Sequence, residues 1–581
     1  MPATPRHFAP RHRQALAACA ASILLAAPAS GHAQTSPGVA DTQELLRQQE
    51  RERQLREQFE RAPDVRLEAP SAASADAPLA VDETPCFRIE RIELAGAGGE
   101  AFHWALAAID RPDDPPTGRC LGTRAINQLM TRLQNRIVSR GYITTRVVAT
   151  AQDLTRGVLT LTVIPGRIRD IRPADGTQLH ARLGAALPAA SGDLLNLRDI
   201  EQGLENLKRV PTADADIQIA PAADPLAGPG ESDLVVAWRQ ERLLRLNLSL
   251  DDSGTRATGR FLGGATVSLD NALGLSDLFY ASFNHDLGGG VSGSRGTHGY
   301  TVHYALPWGY WLASLTAGGN TYHQAVAGAN QTYRYSGESE HAALRLTRLL
   351  HRNATGKTSA WVQAWMRQSS NFIDDTEVVV QRRRMGGWEA GFNHRAFIKA
   401  ATLDVDLAYR RGTGAFAALR APEENFGDGT SRPGIYTASA QLNLPFRAGE
   451  QALRYTSLAR LQRSESPLVP QDRFAIGGRY TVRGFDGESV LSGERGWLWR
   501  NDLGLALRET GAEAYVGVDV GLVSGRSTRG LLGRRLAGGV LGVRGSVGGL
   551  AYDVFVGTHL ARPTGFASPD GLAGFSLNWA W

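Results

Sequence analysis

Leu244-Arg245-Leu246-Asn247-Leu248-Ser249-Leu250 alternates an apolar with a polar residue at every step. A period of two sets the leucines on one face of a β-strand and Arg245, Asn247 and Ser249 on the other. The pattern returns at Tyr300, Val302, Tyr304 and Leu306, and again at Tyr436, Ala438, Ala440, Leu442 and Leu444. The chain finishes on Phe575-Ser576-Leu577-Asn578-Trp579-Ala580-Trp581, aromatic on one face up to the last residue. An open sheet with so greasy a face would aggregate, and a soluble sandwich would leave much aromatic surface in water. A closed barrel in lipid buries that face and has no edge. At roughly 20 residues per strand and connection, residues 241–581 make a membrane all-β fold, an even-numbered transmembrane barrel near 16 strands.

Composition agrees with that reading. Mean hydropathy is −0.24 although glycine makes up 65 of 581 residues and short alternating segments fill the C-terminal part. Low mean hydropathy is what alternation produces. No segment beyond the first 33 residues resembles a spanning helix, which needs about 20 apolar residues. The net charge of +5 comes from 63 basic residues scattered among 58 acidic ones. With no basic stripe interleaved with aromatics, nucleic acid is not an expected partner. Gly356-Lys357-Thr358 imitates a phosphate loop, but the first glycine of that motif would fall at His351, so no nucleotide is expected either. HExxH and GxSxG are missing and the 13 histidines show no ligand spacing. Neither an enzyme, a cofactor nor a metal site is expected.

Ahead of the barrel the chain divides in four. Residues 1–33 read as a signal peptide, with Arg6, Arg11 and Arg13 before an apolar run at 16–29 and Gly31-His32-Ala33 at its end. Residues 34–62 hold a helix over 41–62, rich in Gln, Glu and Arg and capped by Asp41 or Thr42. Its apolar stripe is thin, only Leu45, Leu46, Leu55 and Phe59, so it builds no core and sits in solvent or in a wet cavity. Pro63 ends it, and the Pro/Ala/Ser-rich stretch 63–85 is a linker. Cys86 and Cys120, the cysteines left after signal cleavage, predict one disulfide in an oxidising compartment. A metal site, the rival reading, lacks a CxxC or a nearby histidine pair.

Residues 86–165 and 166–240 read as two small α+β units. In the first, Phe87, Ile89, Ile92 and Leu94 mark a strand edge. Thr123 caps a helix with Ile126, Leu129, Met130, Leu133 and Ile137 at i, i+3, i+4, i+7 spacing. Gly141-Tyr142 stops it, and strands follow at 143–149 and 158–164. The second unit repeats the order: a strand at 168–171, a helix at 197–210, and strands at 217–219 and 234–238.

One stretch stands apart from the strands around it, Tyr480-Thr481-Val482-Arg483-Gly484-Phe485-Asp486-Gly487-Glu488. Glycines at 477, 478, 484 and 487 make it a folded loop, and an arginine buried there needs a fixed carboxylate. Val482-Arg483-Gly484-Phe485 resembles the barrel-loop signature of the outer-membrane transporters of two-partner secretion, the haemolysin secretion/activation proteins of the outer-membrane insertase superfamily. Further matches follow the family's order: Gly141-Tyr142-Ile143-Thr144-Thr145-Arg146-Val147, then Gly166-Arg167-Ile168, then Leu197-Arg198-Asp199-Ile200-Glu201-Gln202-Gly203-Leu204-Glu205-Asn206-Leu207.

The resemblance implies two periplasmic POTRA domains, a 16-stranded barrel in the outer membrane of a Gram-negative bacterium, and an N-terminal helix plugging its pore. It also implies an arginine loop folded back onto an aspartate of the barrel wall. The strand that matches, 514–523, alternates so that Val516, Val518, Val520 and Leu522 face lipid. Asp519 then faces the lumen, and Gly517 and Gly521 on the same face leave room for a loop. Val516 departs from the superfamily, which often has Phe or Gly there. The implied function is passive export of an adhesin- or haemolysin-type exoprotein with an N-terminal haemagglutinin-like secretion domain, by a monomer set in outer-membrane lipid. Candidate substrate contacts are Leu197, Leu204 and Leu207 on the helix and Ile217 and Ile219 on the following strand. Two alternatives stay open. A diffusion porin has no use for two α+β units; a barrel-assembly insertase would use both those units and the arginine loop.

Overall fold

The computed structural model describes residues 37–60, 63–68, 77–177, 180–507 and 510–581. The signal-peptide reading, at 1–33, lies outside the described residues. The polar helix runs Pro37–Phe59, starting before Asp41 and Thr42, so neither residue caps it.

In the first α+β unit, Arg91–Ala95 pairs in parallel with Val158–Ile164, which pairs antiparallel with Arg146–Val148. Helix Thr123–Ser139 buries Ala125, Leu129, Leu133 and Ile137 against Leu159, Leu161 and Val163 of the sheet. Its cap differs from the expected Thr123. Gly122 takes the cap position without a side chain, and Glu83, about 40 residues upstream, accepts from the backbone N–H groups of Arg124 (2.8 Å) and Ala125 (2.9 Å). A long-range cap leaves no local pattern to read. Gly141, at φ 99°, ends the helix in a conformation that favours glycine. Cys86 and Cys120 form a disulfide, their Cα atoms 5.3 Å apart, beside the ladder of Phe87–Ile89 with Arg119–Leu121.

The second unit repeats the plan. Arg167–Pro173 runs parallel to Glu231–Gln240, with Ala213–Pro221 antiparallel on its other side. Helix Leu197–Leu207 covers the sheet and begins at Asn196, whose side chain accepts from the Arg198 N–H.

From Leu244 onward sixteen antiparallel strands close into a barrel, the last, Gly571–Ala580, pairing with the first, Leu244–Asp251. The strands alternate as their sequences do. Val516, Val518, Val554 and Val556 point outward, each about half exposed in the isolated chain, and Leu344 and Leu541 do likewise. Lipid is the solvent that such a surface requires. The soluble units feed the first strand, so that rim is the inner one. Strand Gln451–Ser464 runs up to the opposite, outer rim, and residues 465–494 return from there to Arg495–Leu507. No helix among the described residues is long and apolar enough to cross a membrane; the crossing is made by strands.

Candidate functional site

Residues 465–494 fold back into the barrel as a short ribbon, Phe474–Ile476 paired with Leu491–Gly493, whose tip carries the arginine. Glycines at 477, 484 and 487 have φ of 114°, 92° and 77°, which lets the tip turn back on itself. Val482 and Phe485 are fully buried with Ile476, Leu491, Leu498, Val523, Leu536 and Phe566, a small apolar core inside the pore. Phe485 meets Phe566 edge-on, with ring centroids 5.8 Å apart.

Between those apolar anchors lies Arg483. Its backbone N–H donates to Asp519 Oδ2 (2.9 Å), its Nε to the same oxygen (2.7 Å) and its Nη2 to Asp519 Oδ1 (2.8 Å). Nη2 also donates to Asp502 Oδ1 at 2.5 Å. Asp519 is 1 % exposed and Arg483 6 %. A fork-to-fork pair fixes direction as well as distance, and losing one partner of a buried pair costs about 3–5 kcal/mol.

The wall is shaped for this contact. A Cβ on Gly517 would lie 2.7 Å from Arg483 Nη2, and one on Gly521 would lie 2.9 Å from Val482 and Ile476. Two glycines that the sequence reading passed over also floor the loop, Gly538 closer still. A Cβ on Gly538 would fall well under 3.0 Å from the Arg483 carbonyl oxygen, and Gly557 packs 3.2 Å from Gly484 by the same construction. Asp502 was also missed, although its strand carries the signal. Trp497, Trp499, Leu503 and Leu505 face lipid, so the even positions, Asp502 among them, face the lumen.

The polar helix Pro37–Phe59 occupies the lumen beside this loop. Glu44 reaches Thr258 (3.4 Å) and Thr297 (3.1 Å), Gln48 reaches Ser339 (3.1 Å), and Glu50 pairs with Arg460 (3.2 Å). Glu52 meets His341 at 3.3 Å, and Glu60, just past the helix end, meets Tyr280 at 3.0 Å. Strands on opposite sides of the ring contact one helix only if it runs inside them. Its 23 residues span about 34 Å, enough to thread the pore from one rim to the other. Arg47 donates to the carbonyl of Gly487 at 2.5 Å, tying the helix to the tip of the arginine loop.

Where the helix leaves the inner rim, its end joins the second α+β unit. Leu55 and Phe59 pack into the same apolar cluster as Leu204, Leu207, Leu278 and Tyr280, with Phe59 and Tyr280 rings 5.3 Å apart. The unit also grips the barrel directly. Asn206 donates to the Gly309 carbonyl (2.8 Å), Thr212 to Asp270 (2.8 Å), and Tyr310 to Asp199. Burial pushes the Asp199 carboxyl up to about 6, the Tyr310 hydrogen bond offsetting part of the rise.

The proposed substrate contacts need correction. Leu204, Leu207 and Ile217 are buried in the second unit's own core, Ile219 is half-buried against it, and Leu197 is buried at the helix start. A helix laid on a sheet must spend its apolar face on that sheet, so those side chains are not a docking surface.

Residues 230–545 match the family described as haemolysin secretion/activation protein ShlB/FhaC/HecB. Residues 87–166 match the ShlB-type POTRA domain and residues 167–221 a further POTRA domain. The outer membrane transporter CdiB-2 of Burkholderia pseudomallei (strain 1026b) is 38% identical over 91% of this chain and 92% of its own length. The hemolysin transporter protein ShlB of Serratia marcescens is 26% identical, covering 70% of this chain and 71% of its own. The solved structure of CdiB from Acinetobacter baumannii superposes with a TM-score of 0.82 at 30% identity, over 95% of this chain and 100% of that one. A sixteen-stranded barrel, a helix in its lumen, two POTRA domains and matches along nearly the whole chain agree. The chain belongs to the ShlB/FhaC/HecB family, the outer-membrane transporters of two-partner secretion.

Proposed function

We propose that helix Pro37–Phe59 is a removable plug, that the Arg483 loop is the catch that holds it, and that an unfolded exoprotein releases both. The observation that carries this reading is the Arg47–Gly487 bond between helix and loop tip, inside a lumen otherwise crossed by polar contacts. Those contacts are weak one by one, about 0.5–1.5 kcal/mol net for a hydrogen bond and about 0–1 for a solvated ion pair. A helix held by many exchangeable bonds, with Leu45 and Phe59 as its only well-buried apolar anchors among the described residues, leaves by withdrawing little more than Phe59 and Leu55 from an apolar cluster.

The cargo in this reading is an exoprotein of adhesin or haemolysin type with an N-terminal haemagglutinin-like secretion domain; the relative named a hemolysin transporter supports the second type. Edge strand Ala213–Pro221, paired on one side only among the described residues, offers backbone to an extended chain. Export is passive, pulled forward as the cargo folds outside. Deleting residues 37–60 raises single-channel conductance in planar bilayers. Unchanged conductance would make the helix a periplasmic spacer and remove the plug from the account.

A further inference from the structure

Linker residues 63–68 do more than connect. Their exposure alternates, with Val65 and Leu67 turned inward and Asp64, Arg66 and Glu68 outward, as in a strand. Val65 and Leu67 pack against the apolar cluster of POTRA 2. Glu205 Oε1 accepts the Val65 N–H at 3.0 Å, and Glu201 Oε1 accepts the Leu67 N–H at 2.8 Å. The two carboxylates sit four residues apart on one face of helix Leu197–Leu207, one turn being close to the rise of two extended residues.

Arg352, at the barrel's inner rim, completes the slot. It donates to the Val65 carbonyl while its Nε holds Glu201 Oε2 (2.9 Å) and its Nη2 holds Glu205 Oε1 (3.0 Å). Lys357 also grips Glu205, at 3.1 Å, and bonds Asp64 at 2.7 Å. Arg395 pairs with Asp64 at 2.9 Å, and the Arg66 guanidinium lies 4.5 Å over the Phe397 ring. Glu201, Glu205 and the Arg352 side chain are all nearly buried.

Three of these bonds go to the backbone of Val65 and Leu67, which every polypeptide shares. The apolar part is two side chains at alternate positions, Val65 and Leu67, flanked by the charged contacts of Asp64 and Arg66 at the rim. We infer that this slot between the POTRA 2 helix and the inner rim is a binding site for an extended polypeptide segment with apolar residues at i and i+2. The linker fills it in cis, as a stand-in for the exported chain. The inference rests on the transport reading above and deepens it. A cargo segment that enters the slot displaces the linker, and the linker is joined to the plug's C-terminal end four residues upstream of Asp64, at Glu60. Displacement at POTRA 2 thereby loosens the plug from below.

The test uses the full-length transporter in lipid vesicles and a fluorescent hexapeptide of linker sequence, Pro-Asp-Val-Arg-Leu-Glu. A tethered linker competes at roughly millimolar effective concentration. The wild type therefore binds the peptide at least tenfold more weakly than the variant Val65→Asp with Leu67→Asp, whose own linker no longer fits. Adding Glu201→Gln and Glu205→Gln to that variant lowers affinity tenfold or more, and a peptide with adjacent apolar residues, Pro-Asp-Arg-Val-Leu-Glu, binds as weakly. Barrel folding is checked by resistance to detergent unfolding in the cold; the linker substitutions lie outside the barrel and at the edge of the POTRA 2 cluster. Equal binding by wild type and linker variant, or by the two peptides, overturns the slot. If the wild type exports its partner normally while the linker variant binds no peptide, the slot fails and transport stands. Peptide binding as described, in a chain that exports nothing, would sink the transport reading and leave the slot.

Discussion

Replacing Gly538 by alanine is the most selective perturbation of the arginine loop, because it changes no charge and alters neither the Arg483 side chain nor its acceptors. The added methyl would stand well under 3.0 Å from the Arg483 carbonyl oxygen, which is backbone and cannot rotate away. The tip has to lift, and lifting draws Arg483 off Asp519, to which it donates at 2.7–2.9 Å through Nε, Nη2 and its own N–H. If the fork is lost while Asp502 and the apolar anchors hold, the seated loop loses about 1.5–3 kcal/mol, the worth of a charge-assisted hydrogen bond. That is roughly a 10- to 150-fold shift toward the unseated loop. The assay is limited trypsin digestion of whole cells, since an unseated tip presents Arg479 and Arg483 to the outside, run beside secretion of the partner. Gly539→Ala is the control: it faces lipid, and its nearest neighbour would be a Leu560 methyl at an ordinary 3.5 Å. The expected result is faster loop cleavage and impaired secretion for Gly538→Ala, with Gly539→Ala unchanged. Equal protection of the loop in both variants would refute the argument that the glycine floor seats it.

Asp519→Asn, which leaves Arg483 with Asp502 as its charged acceptor, costs the seated loop about 3 kcal/mol and exposes the same trypsin sites; wild-type protection would count against the pair. Asp199 makes the POTRA 2–barrel junction depend on pH. Its carboxyl is raised from 3.8 to about 6, so the folded state holds the proton more tightly than the unfolded chain. Stability is greatest below 3.8, falls as pH rises towards about 6 and is flat above, at most about 3 kcal/mol in all. Hydrogen-exchange protection factors of helix Leu197–Leu207, corrected for the intrinsic pH dependence of exchange, should be larger at pH 5 than at pH 7.5, and Asp199→Asn should abolish the difference. Breaking the Cys86–Cys120 bridge with a double serine variant, which frees a loop of sequence separation 34, lowers POTRA 1 stability by about 4 kcal/mol. Identical thermal unfolding with and without reductant would contradict that.

Barrel, soluble units and lumen-facing Asp519 were legible in the sequence because each is written in a local period. Strand alternation separates Val516 and Val518 from Gly517 and Asp519 without any knowledge of the neighbours. The same reading applied to Arg495–Leu507 would have found Asp502. What stayed hidden is long-range. Glu83 caps a helix about 40 residues away, Arg47 finds Gly487, and Arg352 joins Glu201, Glu205 and Val65. No spacing rule links such positions. Leu197, Leu204 and Leu207 misled for a related reason: an amphipathic helix shows which face is apolar, but not whether a sheet or a substrate covers it. Their polar neighbours Glu201 and Glu205 turned out to hold the extended chain.

In the proposed cycle the helix must leave the pore before cargo passes. Gln48 and Ser339 bond at 3.1 Å across the lumen, so a Gln48→Cys, Ser339→Cys pair bridged by a short, reducible thiol cross-linker fixes the helix to the wall. Secretion of the partner should stop when the bridge forms and return when it is reduced, with the unsubstituted transporter unaffected by either treatment. A bridged transporter that secretes at the unbridged rate would contradict the account.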